Sequence, residues 1–332
     1  MEDQTHPPGA RRGSGADAAR DAVAGTSELE GMAAGIEAPG EGPEPGVPRP
    51  RFSTGMRYMA AGAFCFSLMS LLVKIAGQRL PSQEVVLVRA LVMLALSWWG
   101  VRAAGVHPWG NDRRRLVTRG VVGFLALSGF YYALVHLPLA DATVVQYTNP
   151  VFASLLAVPV LGERLRGREV ATVLLCMLGV VIATRPAFLF GHGEGSLDPV
   201  AVGIGLAAAV LSAGAYVTVR SLRGREDPLV IVFYFALVST VFALPTALPG
   251  AIWPTPMEWL VLLGVGVTTQ VGQLCVTRGL HLERAGRATA VGYLQIVFAA
   301  LWGALFFAEL PDAGTVTGAI LIVGSTLVLG RR

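Results

Sequence analysis

One stretch of this chain is written twice. Residues 140–163, ADATVVQYTNPVFASLLAVPVLGE, align without a gap on residues 286–309, GRATAVGYLQIVFAALWGALFFAE. The identities are Ala142/Ala288, Thr143/Thr289, Val145/Val291, Tyr147/Tyr293, Val151/Val297, Phe152/Phe298, Ala153/Ala299, Leu155/Leu301 and Glu163/Glu309. Each copy is a long apolar run that ends in a glutamate. The chain as a whole is poor in charge: 53% of its residues are hydrophobic and 14% charged, against roughly 25% charged in a soluble domain. A duplicated apolar segment on this background predicts an all-α integral membrane protein built from two related halves.

A membrane span needs about 20 mostly apolar residues. Ten such runs are predicted, at 57–76, 84–101, 116–136, 141–161, 169–185, 200–220, 228–248, 257–277, 286–308 and 312–330. The longest connection, 186–199, contains GHGEGSLDP and divides them into five and five. The first repeat is therefore expected over 55–185 and the second over 200–330.

Arginine placement sets the orientation, because basic residues are retained on the cytoplasmic side. With the N-terminus inside, alternating spans put Arg51, Arg57, Arg102, Arg113, Arg114, Arg115, Arg119, Arg164, Arg166, Arg168, Arg220, Arg223, Arg225, Arg278, Arg284, Arg287, Arg331 and Arg332 in the cytoplasm. Only Arg79 and Arg185 fall outside. This asymmetry accounts for the formal net charge of +4 as attraction to anionic lipid headgroups, without nucleic acid. Five spans per half is an odd number, so the second half enters from the opposite side and the two repeats are inverted. Their flanks agree: HLPLAD precedes the fourth span and the arginine-rich RGLHLERAGR the ninth. Trp98 and Trp99 on one side, and Trp253 and Trp259 on the other, are expected in the interfacial belts.

Residues 1–50 are rich in Gly, Ala, Pro and Glu, with nine acids and four arginines and no apolar run. They read as a disordered cytoplasmic tail and lack the basic start of a signal peptide. Cys65, Cys176 and Cys275 lie inside apolar runs without metal-ligand spacing and read as small apolar fillers. No metal or cofactor is expected. The chain contains no G-x-x-x-x-G-K-[ST], no G-x-S-x-G and no H-E-x-x-H, so neither ATP-driven transport nor hydrolytic chemistry is expected. A membrane enzyme or a scaffold is the rival class; the first would need His and Asp clusters on surface loops, and the second would need no inverted repeat.

The repeat cores 140–163 and 286–309, their Gly162-Glu163 and Ala308-Glu309 steps, and the sequences FSLMSLLVK and EVVLVRA in the first two spans resemble the drug/metabolite transporter superfamily, in particular its EamA-type members. The resemblance covers about residues 55–330 and implies ten helices in two inverted five-helix repeats, with transport by alternating access. It implies a cavity lined by spans one, three, four, six, eight and nine. On that basis Tyr131 and Tyr132, Tyr216, Gln270 and Gln273 are candidate lining residues. One departure is Asn149-Pro150 in the first core against Gln295-Ile296 in the second, which predicts halves that differ at midplane.

Polar groups at membrane depth require a reason. Lys74, at the end of the first span, and Arg89, in the second, either supply positive charge to a cavity for a carboxylate or phosphate, or snorkel to the interface and pair with Glu84. Gln146, Tyr147, Thr148 and Asn149 precede Pro150, which frees the carbonyl of Gln146; Tyr293 and Gln295 are their mates in the second copy. Each can contact substrate or bond between helices. Pro150, Glu163 and Glu309 are assigned gating or structural roles. Glu163, Glu309 and His136 are the candidates for proton or ion coupling. The reading is a secondary carrier, an exporter, of a small polar metabolite. An organic anion is favoured over an amino acid or a cationic drug because Lys74 and Arg89 have no acidic counterpart at midplane. High Ala, Gly and Arg usage points to a bacterial inner membrane.

Overall fold

The computed structural model describes residues 53–137, 139–164, 166–184, 189, 198–307 and 313–330. The predicted tail, nearly all of the 186–199 connection, Arg185, Glu309 and the last two arginines lie outside the described residues. The described chain is helical: α1 (Thr54–Ala76), α2 (Ser82–Ala103), α3 (Arg113–His136), α4 (Leu139–Gln146), α5 (Asn149–Leu161), α6 (Gly167–Thr184), α7 (Pro199–Ser221), α8 (Pro228–Ala247), α9 (Pro256–Leu282), α10 (Ala285–Val291), α11 (Leu294–Phe307) and α12 (Ala313–Gly330). Eight stretches are long and apolar enough to cross a membrane, counting 142–161 and 285–306 as one crossing each, and Ala313–Val328 is a shorter apolar helix.

Several helices start where the chain supplies an acceptor for their free N–H groups. Ser53 caps α1, Asp112 caps α3, Asp198 caps α7 and Asp227 caps α8. Proline stands at the first position of α7, α8 and α9, where its missing N–H costs nothing. Thr255 and Glu258 form a reciprocal capping box on α9. At the end of α5, Gly162 adopts φ +67° and the Glu163 N–H donates to the Ala157 carbonyl at 3.2 Å. The Gly-Glu step seen in the sequence is thus a helix terminator that delivers a carboxylate to the bundle's end.

Packing follows the repeat. α1 lies along α9, and α3 lies along α7; these two pairings exchange under the repeat relation. The pairs α2 with α8 and α6 with α12 map onto themselves. The pairs α5 with α7 and α11 with α1 again exchange. Interlocked halves of this kind are what an inverted duplication produces. Close approach depends on glycine at one crossing in particular. A Cβ on Gly318 would meet the Gly179 carbonyl and Ala183, so α6 and α12 touch backbone to backbone. Gly205, Gly264 and Gly266 are also crowded by neighbours, whereas Gly203 and Gly324 face open space and need no such explanation.

Loop contacts sort the bundle's ends into two faces. Ser53, Asn111, Asp112, Glu163, Glu169, Arg220, Glu226, Glu283, Arg284 and Arg287 join one another on the arginine-rich face. Arg79, Glu84, Ile252 and Glu258 meet on the opposite face. This is the alternation that the arginine pattern predicted. Trp253 is 84% exposed beside Trp259 on the second face, and Trp99 is 71% exposed near the first, as interfacial anchors require.

Candidate functional site

The fourth and ninth crossings are both broken. α4 ends at Gln146 and α5 begins at Asn149; α10 ends at Val291 and α11 begins at Leu294. Pro150 accounts for the first break, since it cannot donate to the Gln146 carbonyl. The second break falls at the aligned position without a proline, at Gly292-Tyr293. Both cores unwind, the second without a proline, while Asn149-Pro150 against Gln295-Ile296 and a half-buried Tyr147 against a fully buried Tyr293 leave the two midplanes different. Short-range bonds span each break, from Val151 N to Thr148 O at 3.0 Å and from Ile296 N to Tyr293 O at 3.1 Å.

The repeat-related tyrosines meet at these breaks. The Tyr147 and Tyr293 rings stack with centroids 5.6 Å apart. The Tyr293 hydroxyl donates to the Tyr147 carbonyl at 2.8 Å, satisfying a backbone acceptor that a continuous helix would have used. Tyr293 is fully buried, so its geometry is that of a packing residue. Tyr147 is half-buried and lies within electrostatic reach of Tyr216 on α7. Gln146 donates to Ser212 of α7 at 3.2 Å, while its own side-chain oxygen has no partner. Asn149 and Gln295 are half-buried beside the breaks. Pro150 is buried.

Arg89 is only 5% exposed on α2, its Nε without a hydrogen-bond partner, and Tyr131 of α3 is the polar group within electrostatic reach. Glu84 does not pair with it; that carboxylate accepts instead from the Ile252 N–H at 2.9 Å, across the opposite face. Lys74 is exposed in the last turn of α1. The two residues stand on helices that each pack on α9. Gln270 accepts from Ser97 of α2 at 3.0 Å inside the bundle. Tyr132 stacks on His136 with centroids 4.0 Å apart at an exposed helix end. Glu163 pairs with Arg220 Nε at 3.0 Å and Arg284 Nε at 3.9 Å, and accepts from the Ala285 N–H at 3.2 Å.

A further residue belongs with this set. Alternating spans place Arg119 in the cytoplasm with Arg113, Arg114 and Arg115. It is instead 4% exposed within the bundle. Its guanidinium lies 4.5 Å from the Phe235 ring centroid, Nη2 reaches Gln273 Oε1 at 3.4 Å, and Tyr216 is within electrostatic reach. Helical phase was the available signal. Arg119 shares a face with Leu116, Gly123, Ala126 and Ala133, at spacings of three, four, three and seven, and Leu116, Ala126 and Ala133 are all buried. Among the described residues no cluster of His, Cys, Asp and Glu is placed to hold a metal.

A profile of the EamA-like transporter family matches residues 53–185 and 200–331. The pseudopaline exporter CntI of Pseudomonas aeruginosa is 36% identical over 279 residues, covering 84% of this chain and 96% of that protein. Human solute carrier family 35 member G1 is 28% identical, covering 82% and 77%. An S-adenosylmethionine uptake transporter of Rickettsia prowazekii is 26% identical, covering 79% and 87%. A crystal structure 20% identical in sequence superposes with a TM-score of 0.72 over 83% of this chain and 97% of its own, a likeness of fold.

Proposed function

Because the chain belongs to the EamA-like transporter family, and is thus an integral membrane transporter, we propose that it is a secondary exporter of a small organic anion. It works by alternating access between its inverted halves. In this reading ten crossings place the arginine-rich face and both termini in the cytoplasm of a bacterial inner membrane. The reading is carried by one observation. Arg89 is buried in an apolar interior and forms no ion pair with any described carboxylate. A charged side chain at membrane depth is costly unless a partner compensates it, and a transported carboxylate is such a partner. Tyr131, Tyr147 and Gln146 supply further polar groups along the route, and Lys74 adds positive charge near the opposite face. The relative named as an exporter supports outward flux, and it covers most of both chains.

Counterflow in proteoliposomes tests the reading. Preloaded citrate or succinate should drive uptake of the labelled compound, whereas leucine and tetraethylammonium should not. Arg89→Gln should raise the half-saturating anion concentration about tenfold, the equivalent of about 1.4 kcal/mol of recognition. Flux of leucine or tetraethylammonium alone would refute the anion.

A further inference from the structure

The second buried arginine has fewer partners than its donors require. We propose that Arg119, with Tyr216 and Gln273, forms a carboxylate-recognition subsite in the half of the bundle nearer the arginine-rich face. This subsite is distinct from the one at Arg89, and the inference rests on the organic-anion reading.

A guanidinium carries five N–H donors in a planar fork. Here only Nη2 has a hydrogen-bond partner, at 3.4 Å, and both Nε and Nη1 are buried without one. Arg119 forms no ion pair with a described carboxylate. The group is nevertheless held in position. The Phe235 ring supports one face. Gly123, one turn along α3, leaves the space that Nη1 occupies, and a Cβ there would displace it. A planar donor fixed from below, short of acceptors and flanked by a tyrosine and an amide fits the planar oxygen pair of a carboxylate, taken by two N–H groups together.

The two arginines occupy different depths. Arg89 is seven residues inside the start of α2, and Arg119 is six inside the start of the next helix, α3, which begins on the arginine-rich face. At about 1.5 Å of rise per residue along antiparallel helices of about 33 Å, their Cα atoms are roughly 13 Å apart in depth. Arg89 has Tyr131 as its polar neighbour whereas Arg119 has Tyr216 and Gln273, and on this proposal the pair marks successive stations on one route. Arg119 is the station met first from the arginine-rich side.

Thermal stabilisation of the purified full-length protein separates the alternatives, with citrate, inorganic phosphate, leucine and tetraethylammonium as probes. A ligand that binds the folded state raises the midpoint with concentration. Citrate is expected to stabilise the parent protein and phosphate to do so less. Arg119→Gln is expected to weaken citrate stabilisation at least tenfold while raising the ligand-free midpoint, since it removes a buried charge short of partners. Arg119→Lys keeps the charge without the fork and should recover only part of the affinity. If the role is structural, Arg119→Gln lowers the ligand-free midpoint and leaves the citrate response intact, and the subsite is refuted. If citrate stabilisation is lost in Arg89→Gln but kept in Arg119→Gln, the anion reading stands and this subsite alone falls. If only leucine or tetraethylammonium stabilises the parent protein, the anion reading falls and the subsite with it. A phosphate response stronger than citrate, lost in Arg119→Gln, keeps the anion reading and overturns the assignment to a carboxylate.

Discussion

The two faces of the bundle are stitched across the halves by unequal means. On the arginine-rich face, Glu163 and Glu169 of the first half hold Arg220 and Arg284 of the second. In return, Glu226 of the second half accepts from the Asn111 N–H at 2.5 Å and from the Asp112 N–H, and Glu283 meets Ser53. Arg220 also donates to the carbonyls of Leu280 and His281 at 3.1 and 2.9 Å. Most of these side chains are largely withdrawn from solvent. On the opposite face Arg79 pairs with Glu258, whose side chains are 46% and 19% exposed, and the buried Glu84 carboxylate accepts from the Ile252 N–H at 2.9 Å. Several partly desolvated charges with several donors each resist separation more than one solvated pair and one backbone bond to a carboxylate do. The arginine-rich face is therefore the harder one to open under the alternating-access proposal.

Removing the anchor of the stronger face should give the largest effect. Glu163→Gln keeps one amide oxygen but removes the charge that two arginines share, and is expected to lower stability by about 2 kcal/mol, read as a drop in the thermal midpoint. It should also open that face. Ser154 is buried against Gly286 there. A Ser154→Cys probe, in a background with Cys65, Cys176 and Cys275 replaced by Ser, should react with maleimide faster when Glu163→Gln is present. An unchanged labelling rate would mean that the network does not hold this face shut. Glu226→Gln comes next. Its amide oxygen can still accept from the turn at Asn111, which is set by Gly110 at φ +58°, so only the charge assistance is lost. The expected cost is about 1 kcal/mol, measured the same way.

Much of this architecture was legible in the sequence for definite reasons. Alternating arginine clusters and apolar runs specify crossings and faces, and Asp198, Asp227 and Thr255 before proline mark helix starts. The aligned tyrosines announced their importance, although they serve first as partners to one another. Arg119 reads as one more surface arginine because the triplet Arg113, Arg114 and Arg115 ends four positions before it. Linear proximity outweighed a helical phase that Leu116, Ala126 and Ala133 already set. The break at Gly292-Tyr293 was missed because proline was treated as the cause of unwinding, when Gly292 opposite Gln146 was the quieter signal. The partners of Glu84 and Glu163 could not be read at all. They come from residues 168 and 57 positions away, and a single sequence contains no term for distances of that kind.

The smallest expected effect is the one that most sharply defines the difference between the faces. Arg79→Gln removes the exposed ion pair on the opposite face while leaving Glu258 free to keep its capping bonds to Thr255, at 2.7 Å from the backbone and 2.9 Å from the hydroxyl. Replacing Glu258 instead would damage the start of α9 and confuse the result, so the arginine is the right partner to change. Exposed pairs of this type are screened at physiological ionic strength. The thermal midpoint of Arg79→Gln should match the parent protein within the error of measurement at 150 mM salt, and fall slightly below it only at low salt. A loss as large as that of Glu163→Gln, insensitive to salt, would show that the two faces are equally locked. Preference between inward and outward opening would then have to come from the broken fourth and ninth crossings rather than from the charges at the bundle's ends.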